Sequence, residues 1–386
     1  MTARRISSHR PGRAELGRAR TSSGDSIRSR YMPPLSKTAD SAARIVTLLE
    51  SHICRRKLCR VCEKGRSPIR ARARGTGGRG RLQCACVRRD AVPTSRSRLE
   101  EAMPRIVITA ETGCDIPAAE AAELGVTLVP MHVSVGEKTL DDGEISPAEM
   151  LEQCRQLGVL PRTSGCTPHD FQVAFDRIHE ADPEAQILHV AYSAVTTCSL
   201  ESALAAAEGR DYVTTLDTRH VTIGQGLVVR LVAAWVREHP EATPEEARAF
   251  AEGVAARTRM AFLPGDLGYL RAGGRLSNVA FLGATLLKIK PVVELVDGKL
   301  VATKKLRGSM GSAAVALVDY LALREEFDRG RVVFVKSPGL PEQVQRLVAD
   351  HARELGFEQV EWYDTGNVIT SHCGPGALGV AFLARE

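Results

Sequence analysis

Apolar runs of strand length alternate with segments of helical periodicity from residue 105 to the end of the chain. Four of these runs are almost continuously apolar, and they lie at 105–112, 126–135, 186–195 and 211–218. Near-continuous apolar strands separated by helices are typical of a parallel sheet that is covered on both faces. The pattern therefore predicts an α/β domain, and ligands of such domains usually bind at the carboxyl ends of the strands.

Several helix ends can be located from single residues. Thr167 precedes Pro168 and Asp170, an arrangement that predicts an N-cap, a first helical residue and an acid at the positive helix end. The sequence Thr243-Pro244-Glu245-Glu246 predicts a second helix start with a capping box. Gly125 predicts the end of the first helix. Because Thr167 caps its helix, Thr163 and Ser164 have no evident structural role.

The pattern changes after about residue 257. Two strand-like runs flank Asp297-Gly298, which predicts a β-hairpin. Two further helices and a strand follow, and the segments "VEWYDTG" and "VITSHCGPGALGVAFL" predict a final pair of strands. We therefore predict a two-domain α/β fold, with a parallel-sheet domain at 104–260 and a second α/β domain with antiparallel elements at 261–386.

The first 103 residues differ from the rest in charge. They contain 25 Lys and Arg against 8 Asp and Glu, whereas the remainder contains 27 against 38. Such an Arg-rich composition cannot bury enough apolar surface to offset chain entropy and predicts a disordered basic extension. Three interpretations remain for it: a start assigned too early, with translation beginning at Met103; an arm that binds nucleic acid; or an organelle transit segment.

The ten cysteines do not predict a metal site or a disulfide framework. The extension has one C-x2-C pair and one C-x-C pair, but a zinc ribbon needs two C-x2-C pairs. The other five are scattered, and no apolar run is long enough to span a membrane. The sequence predicts reduced thiols, a cytoplasmic protein, and no metal or cofactor.

The residues that could carry chemistry are hydroxyl-rich and glycine-rich turns. Motifs for phosphate-binding loops, zinc proteases and serine hydrolases are absent. The candidate residues are Thr163, Ser164, Thr196, Thr197, Arg275 and His372. Hydroxyls, an imidazole and a guanidinium with few acids are suited to binding an anion. Structural explanations exist as well: Thr196 and Thr197 could cap the next helix, and His372 could be a core histidine.

The chain from residue 104 resembles the DegV family of bacterial lipid-binding proteins. The similarity rests on "ITAETGCDIP", "TSGCTPHDF", "AYSAVTTCSLESA", "YLRAGGRLS", "LLKIKP", "KKLRGS" and "HCGPGALGVAF", in the family's order. The resemblance implies a carrier, not an enzyme, that holds a long-chain fatty acid between two α/β domains. It also implies that a partner, a fatty-acid kinase, phosphorylates the carboxylate for phospholipid synthesis, and that the folded domains do not bind nucleic acid.

The resemblance also implies roles for single residues. Thr163, with Ser164 beside it, and one hydroxyl of Thr196 or Thr197 would bind the carboxylate; counting backward from Ser202 favours Thr197. His372 corresponds to the histidine before Gly-Pro-Gly, and Arg275 to the arginine of Gly-Gly-Arg. Two functional alternatives remain: an acyl or phosphoryl transferase or hydrolase on the same scaffold, with His372 as a base, and a nucleic-acid-associated protein that acts through its basic extension.

Overall fold

The structure is a computed structural model that describes residues 105–275 and 289–385. The strands are β1 (Ile106–Glu111), β2 (Val126–Val129), β3 (His132–Val135), β4 (Lys138–Asp141), β5 (Arg162–Ser164), β6 (Gln186–Ala191), β7 (Val213–Asp217), β8 (Thr258–Leu263), β9 (Ile289–Val296), β10 (Lys299–Arg307), β11 (Arg331–Lys336), β12 (Gln359–Asp364) and β13 (Leu378–Leu383). The α-helices are α1 (Ala118–Leu124), α2 (Pro147–Leu157), α3 (Pro168–Ala181), α4 (Ser199–Ala207), α5 (Thr222–Glu238), α6 (Pro244–Arg257), α7 (Leu267–Gly273), α8 (Met310–Ala322), α9 (Glu342–Glu354) and α10 (Asn367–Cys373).

The first sheet is parallel and has the strand order β2-β1-β6-β7. On one face, Ile108 and Leu188 belong to a core formed with residues of α5 and α6. On the other face, Ile187 packs in a core with Phe171 and Phe175 of α3. Helices therefore cover both faces of this sheet, as the continuous apolar strands predict.

The second sheet is mixed and has the order β10-β9-β8-β13-β11-β12. β11 and β12 are parallel, and the other neighbours in the sheet are antiparallel. Asp297 and Gly298 join β9 to β10 with φ angles of 49° and 76°. Two left-handed residues are what a two-residue hairpin turn requires, so the predicted hairpin is confirmed.

A third, small antiparallel sheet has the order β4-β3-β5. It corrects the prediction of one strand over 126–135, because that run divides into β2 and β3, which belong to different sheets. Pro130 lies between them and has no N–H to donate to a ladder. The division matters for function because β3 pairs with β5, which carries Thr163 and Ser164.

The predicted strand at "VITSHC" is also wrong, since these residues lie in α10. Two aspartates that are distant in the chain stabilise the start of this helix. Asp115 accepts from the backbone N–H of Gly366 at 2.7 Å. Asp142 accepts from the backbone N–H groups of Asn367 at 2.7 Å and Val368 at 3.3 Å. Free N–H groups at a helix start need such acceptors. Tertiary contacts thus override the strand preference of the β-branched residues.

Three predicted helix ends are confirmed. Thr167 with Asp170 and Thr243 with Glu246 form capping boxes, and Gly125 ends α1 with φ of 71°. The predicted α/β fold class is confirmed. The domain division at residue 260 stays a prediction, and the predicted basic extension at 1–103, with its cysteines, lies outside the described residues.

Candidate binding cavity

The structure places all six predicted site residues on the wall of one cavity. Thr163 and Ser164 come from β5, Thr196 and Thr197 follow β6, Arg275 follows α7, and His372 belongs to α10. The cavity contains about 800 Å³ of empty space, which includes open solvent at its mouth. Most of its other lining residues are apolar: Met131, Val221, Met260, Phe262, Leu270, Leu300, Val335, Val368, Ile369, Ala377 and Leu378.

Thr163 and His372 are in direct contact at this wall. The Thr163 hydroxyl and His372 Nε2 form a hydrogen bond of 2.8 Å. Burial, together with the positive charge of Arg275, lowers the pKa of His372 to about 4. The imidazole is therefore neutral at neutral pH and acts here as a hydrogen-bonding group.

The other imidazole nitrogen of His372 is enclosed by protein atoms. Its Nδ1 is buried and has no hydrogen-bond partner among the described residues. A Cβ on Gly273, the last residue of α7, would lie 2.2 Å from this nitrogen. A glycine at this position therefore allows the backbone to pack directly against the histidine ring.

Thr196 and Thr197 both face the cavity but have different hydrogen bonds. The Thr196 hydroxyl donates to the carbonyl of Ser193 at 2.9 Å and closes a local turn. The Thr197 hydroxyl lies 3.2 Å from the Ser199 hydroxyl and accepts from the Ser199 N–H at 3.4 Å. A Cβ on Gly165 would lie 2.5 Å from the Thr197 hydroxyl. The loop after β5 and the loop after β6 are thus in close contact at the cavity.

Arg275 and Ser164 are the exposed members of the group. Arg275 donates from Nη1 to the carbonyl of Gly273 at 3.0 Å, so its guanidinium is positioned by the same short segment that contacts His372. Its remaining N–H groups have no protein partner among the described residues. A cation, three threonine hydroxyls, a serine hydroxyl and a neutral imidazole therefore line the outer wall.

Three buried polar residues of the cavity wall were not predicted from the sequence. They are Tyr192, Thr222 and Thr365. Tyr192 follows β6 directly, so its position at the carboxyl end of a parallel strand was the available signal. Thr222 has φ of 47°, and its hydroxyl donates to Asp115. The sequence contains no signal for Thr222 because its contact with Asp115 spans 107 residues.

Among the described residues, no group of three or more His, Cys, Asp and Glu side chains could hold a metal ion. A histidine whose pKa is about 4 is a weak base at neutral pH. In the same described part of the chain, no helix combines the length and apolar character needed to cross a membrane.

Comparison with known proteins gives consistent matches over the described region. The family model for "Uncharacterised protein, DegV family" matches residues 105–385. A DegV domain-containing protein of Deinococcus radiodurans is 30% identical over 277 residues, which is 72% of this chain and 97% of the relative. A solved structure described as fatty acid binding of a DegV family protein from Thermus thermophilus has 27% identity and a TM-score of 0.65, covering 73% of this chain and all of that one.

Proposed function

The chain belongs to the DegV family, and from this premise we propose that it is a carrier of long-chain fatty acids. In this proposal the acyl chain lies in the apolar part of the cavity and the carboxylate lies at the wall formed by Thr163, Thr197, Arg275 and His372. A fatty-acid kinase then phosphorylates the presented carboxylate for phospholipid synthesis. The observation that carries the proposal is one cavity with a polar, cationic wall and an otherwise mainly apolar lining.

The head-group wall can satisfy a buried carboxylate. A carboxylate offers about four lone-pair sites, and leaving them unpaired in a buried place costs several kcal/mol. Arg275 supplies charge-assisted donors, and threonine hydroxyls supply further ones. Of the two neighbouring threonines, Thr197 is the better candidate, because the Thr196 hydroxyl already donates to the Ser193 carbonyl.

The apolar lining accounts for affinity. Burying about fourteen methylenes at about 0.8 kcal/mol each gives about 11 kcal/mol, and association costs of about 4–15 kcal/mol offset much of it. The acyl chain therefore supplies the driving force, and the polar wall selects an acid over an ester or an alcohol. The relative from Thermus thermophilus, described by its fatty acid binding, supports this assignment.

A direct test is to identify and compare ligands. Lipid extracted from the purified protein should contain free fatty acids by mass spectrometry, and the delipidated protein should bind a long-chain fatty acid at least tenfold tighter than its methyl ester. Addition of a bacterial fatty-acid kinase and ATP should convert the bound acid to an acyl phosphate. Equal binding of acid and ester would contradict the placement of the carboxylate.

The alternative function is an acyl or phosphoryl transferase or hydrolase that uses His372 as a base. The lowered pKa of His372 speaks against this role. Turnover of an acyl ester or acyl phosphate by the purified protein without any partner would support the alternative.

A further inference from the structure

Tyr192 places its phenol hydroxyl, which has no partner among the residues that the structure describes, in the buried part of the cavity. The residue is only 8% exposed and lines the cavity. Its backbone N–H is held by Glu111 at 2.9 Å, but its phenol hydroxyl has no hydrogen-bond partner among the described residues. Unlike His372 Nδ1 and Gln225 Oε1, this oxygen is not fully enclosed by protein atoms. The phenol oxygen is therefore open to the space of the cavity.

A purely hydrocarbon chain would leave this buried hydroxyl unsatisfied. Buried polar groups in native proteins nearly always have a partner, and an unmade hydrogen bond is unfavourable. The ring itself is held in place, since a Cβ on Gly113 would lie 3.0 Å from a ring carbon of Tyr192. The hydroxyl therefore requires a partner that enters the cavity.

The anionic Glu111 near Tyr192 disfavours a carboxylate as that partner. Burial and the nearby carboxyl groups of Asp115, Glu111 and Asp142 raise the pKa of Tyr192 well above its usual value. Contacts with His189 and the Tyr192 N–H outweigh burial and lower the pKa of Glu111, which keeps that group anionic. A second anion beside Tyr192 would be repelled, whereas a neutral oxygen would not.

Two further hydroxyls of the cavity wall belong to Thr222 and Thr365. The Thr222 hydroxyl is hydrogen-bonded to Asp115, and burial raises the pKa of this carboxyl to about 8, so that it carries a proton at neutral pH. Thr365 and the fully buried Thr370 share one hydrogen bond of 2.7 Å. Either threonine can be the donor in that bond, and Thr365 lines the cavity. A ligand hydroxyl can both donate and accept, so it can pair with a threonine hydroxyl in either direction.

We propose that the cavity selects fatty acids that carry a neutral oxygen substituent, a hydroxyl, along the acyl chain, and that Tyr192 donates a hydrogen bond to this substituent. The inference rests on the proposed fatty-acid carrier function and narrows its substrate class. Tyr192 would then determine specificity without contacting the carboxylate.

The experiment measures dissociation constants for stearic acid and for hydroxystearic acids that differ in the position of the hydroxyl. Wild-type protein should bind at least one hydroxystearic acid at least about fivefold tighter than stearic acid, and Tyr192→Phe should abolish this preference. Tyr212→Phe is the matched control, since Tyr212 stacks on His179 away from this cavity, and it should keep the preference.

The outcomes separate the two proposals. If wild type binds stearic acid but prefers no hydroxylated isomer, the inference about Tyr192 is wrong while the carrier function stands, and this result does not depend on whether the variant folds. A preference that survives in Tyr192→Phe would also overturn it. If neither stearic acid nor any hydroxystearic acid binds, the carrier function itself fails.

Discussion

Thr163 and His372, which are 209 residues apart in the chain, form a hydrogen bond of 2.8 Å on the cavity wall. Since the imidazole is neutral, one of its nitrogens carries a proton and the other does not. A buried N–H without a partner is rarer in proteins than an unpartnered acceptor, so the unpartnered Nδ1 is the bare nitrogen. Nε2 then donates to Thr163, and the Thr163 proton is left for a ligand. The histidine thus orients the hydroxyl.

The first prediction removes this hydroxyl. Thr163→Val keeps the side-chain shape but removes the donor, and it should cost about 1.5–3 kcal/mol of fatty-acid affinity, or roughly 10- to 150-fold. The affinity for the methyl ester of the same acid should hardly change, because it lacks the charge-assisted bond. Titration of both ligands against wild type and variant measures the difference.

Two other substitutions near Thr163 serve as controls. Ser164→Ala should cost less affinity than Thr163→Val, because Ser164 is exposed. Thr167→Ala should lower the free energy of unfolding by about 1 kcal/mol through loss of the N-cap of α3 and should leave affinity unchanged. Affinities of Thr163→Val equal to those of wild type, for acid and ester alike, would remove Thr163 from the head-group site.

The sequence is informative where local rules determine the outcome. The capping boxes of α3 and α6 and the left-handed turn at Asp297-Gly298 depend on adjacent residues, and all three are confirmed. The site residues were predicted as turns at strand ends, and the structure brings all six to one cavity. Their role toward a ligand stays a proposal.

The parts that could not be predicted depend on contacts between distant segments. α10 begins where Asp115 and Asp142 accept from its first N–H groups, over separations of 225 to 251 residues. The contact of Gly273 with His372 and the cavity-facing position of Tyr192 likewise exist only after the chain has folded. No local pattern encodes such pairings.

The second prediction concerns the packing of Gly273 against His372. A Cβ at Gly273 would lie 2.2 Å from His372 Nδ1, closer than any real contact, so Gly273→Ala should displace the imidazole. Fatty-acid affinity should fall roughly tenfold, similar to the loss of the Thr163 contact. Gly253→Ala in the middle of α6 is the control, since nothing lies within 4 Å of its new Cβ. This control should raise stability by up to about 1 kcal/mol and leave binding intact.

The third prediction tests the cation of the head-group wall. Arg275→Ala should weaken fatty-acid binding by tenfold or more and change the free energy of unfolding by no more than about 0.5 kcal/mol, because the side chain is exposed. Arg275→Lys should recover only part of the loss, since lysine lacks the planar fork of donors. Arg271→Ala, an exposed position on α7 outside the cavity wall, should leave affinity unchanged. Unfolding of Arg275→Ala would instead assign the residue a structural role.

The last prediction follows from the lowered pKa of His372. Its folded pKa is about 4 against an ordinary value of 6.5, so between these values the unfolded chain binds more protons than the folded one. Stability therefore falls as the pH decreases from 6.5 to 4, and this contribution is absent in His372→Gln. Urea unfolding at several pH values measures this difference. As the pH falls from 6.5 to 4, the free energy of unfolding of wild type should decrease relative to that of His372→Gln. A bound fatty acid should reduce the shift in wild type, because a carboxylate nearby raises the pKa of a histidine. Parallel pH profiles of the two proteins would show that His372 is not buried as a neutral group.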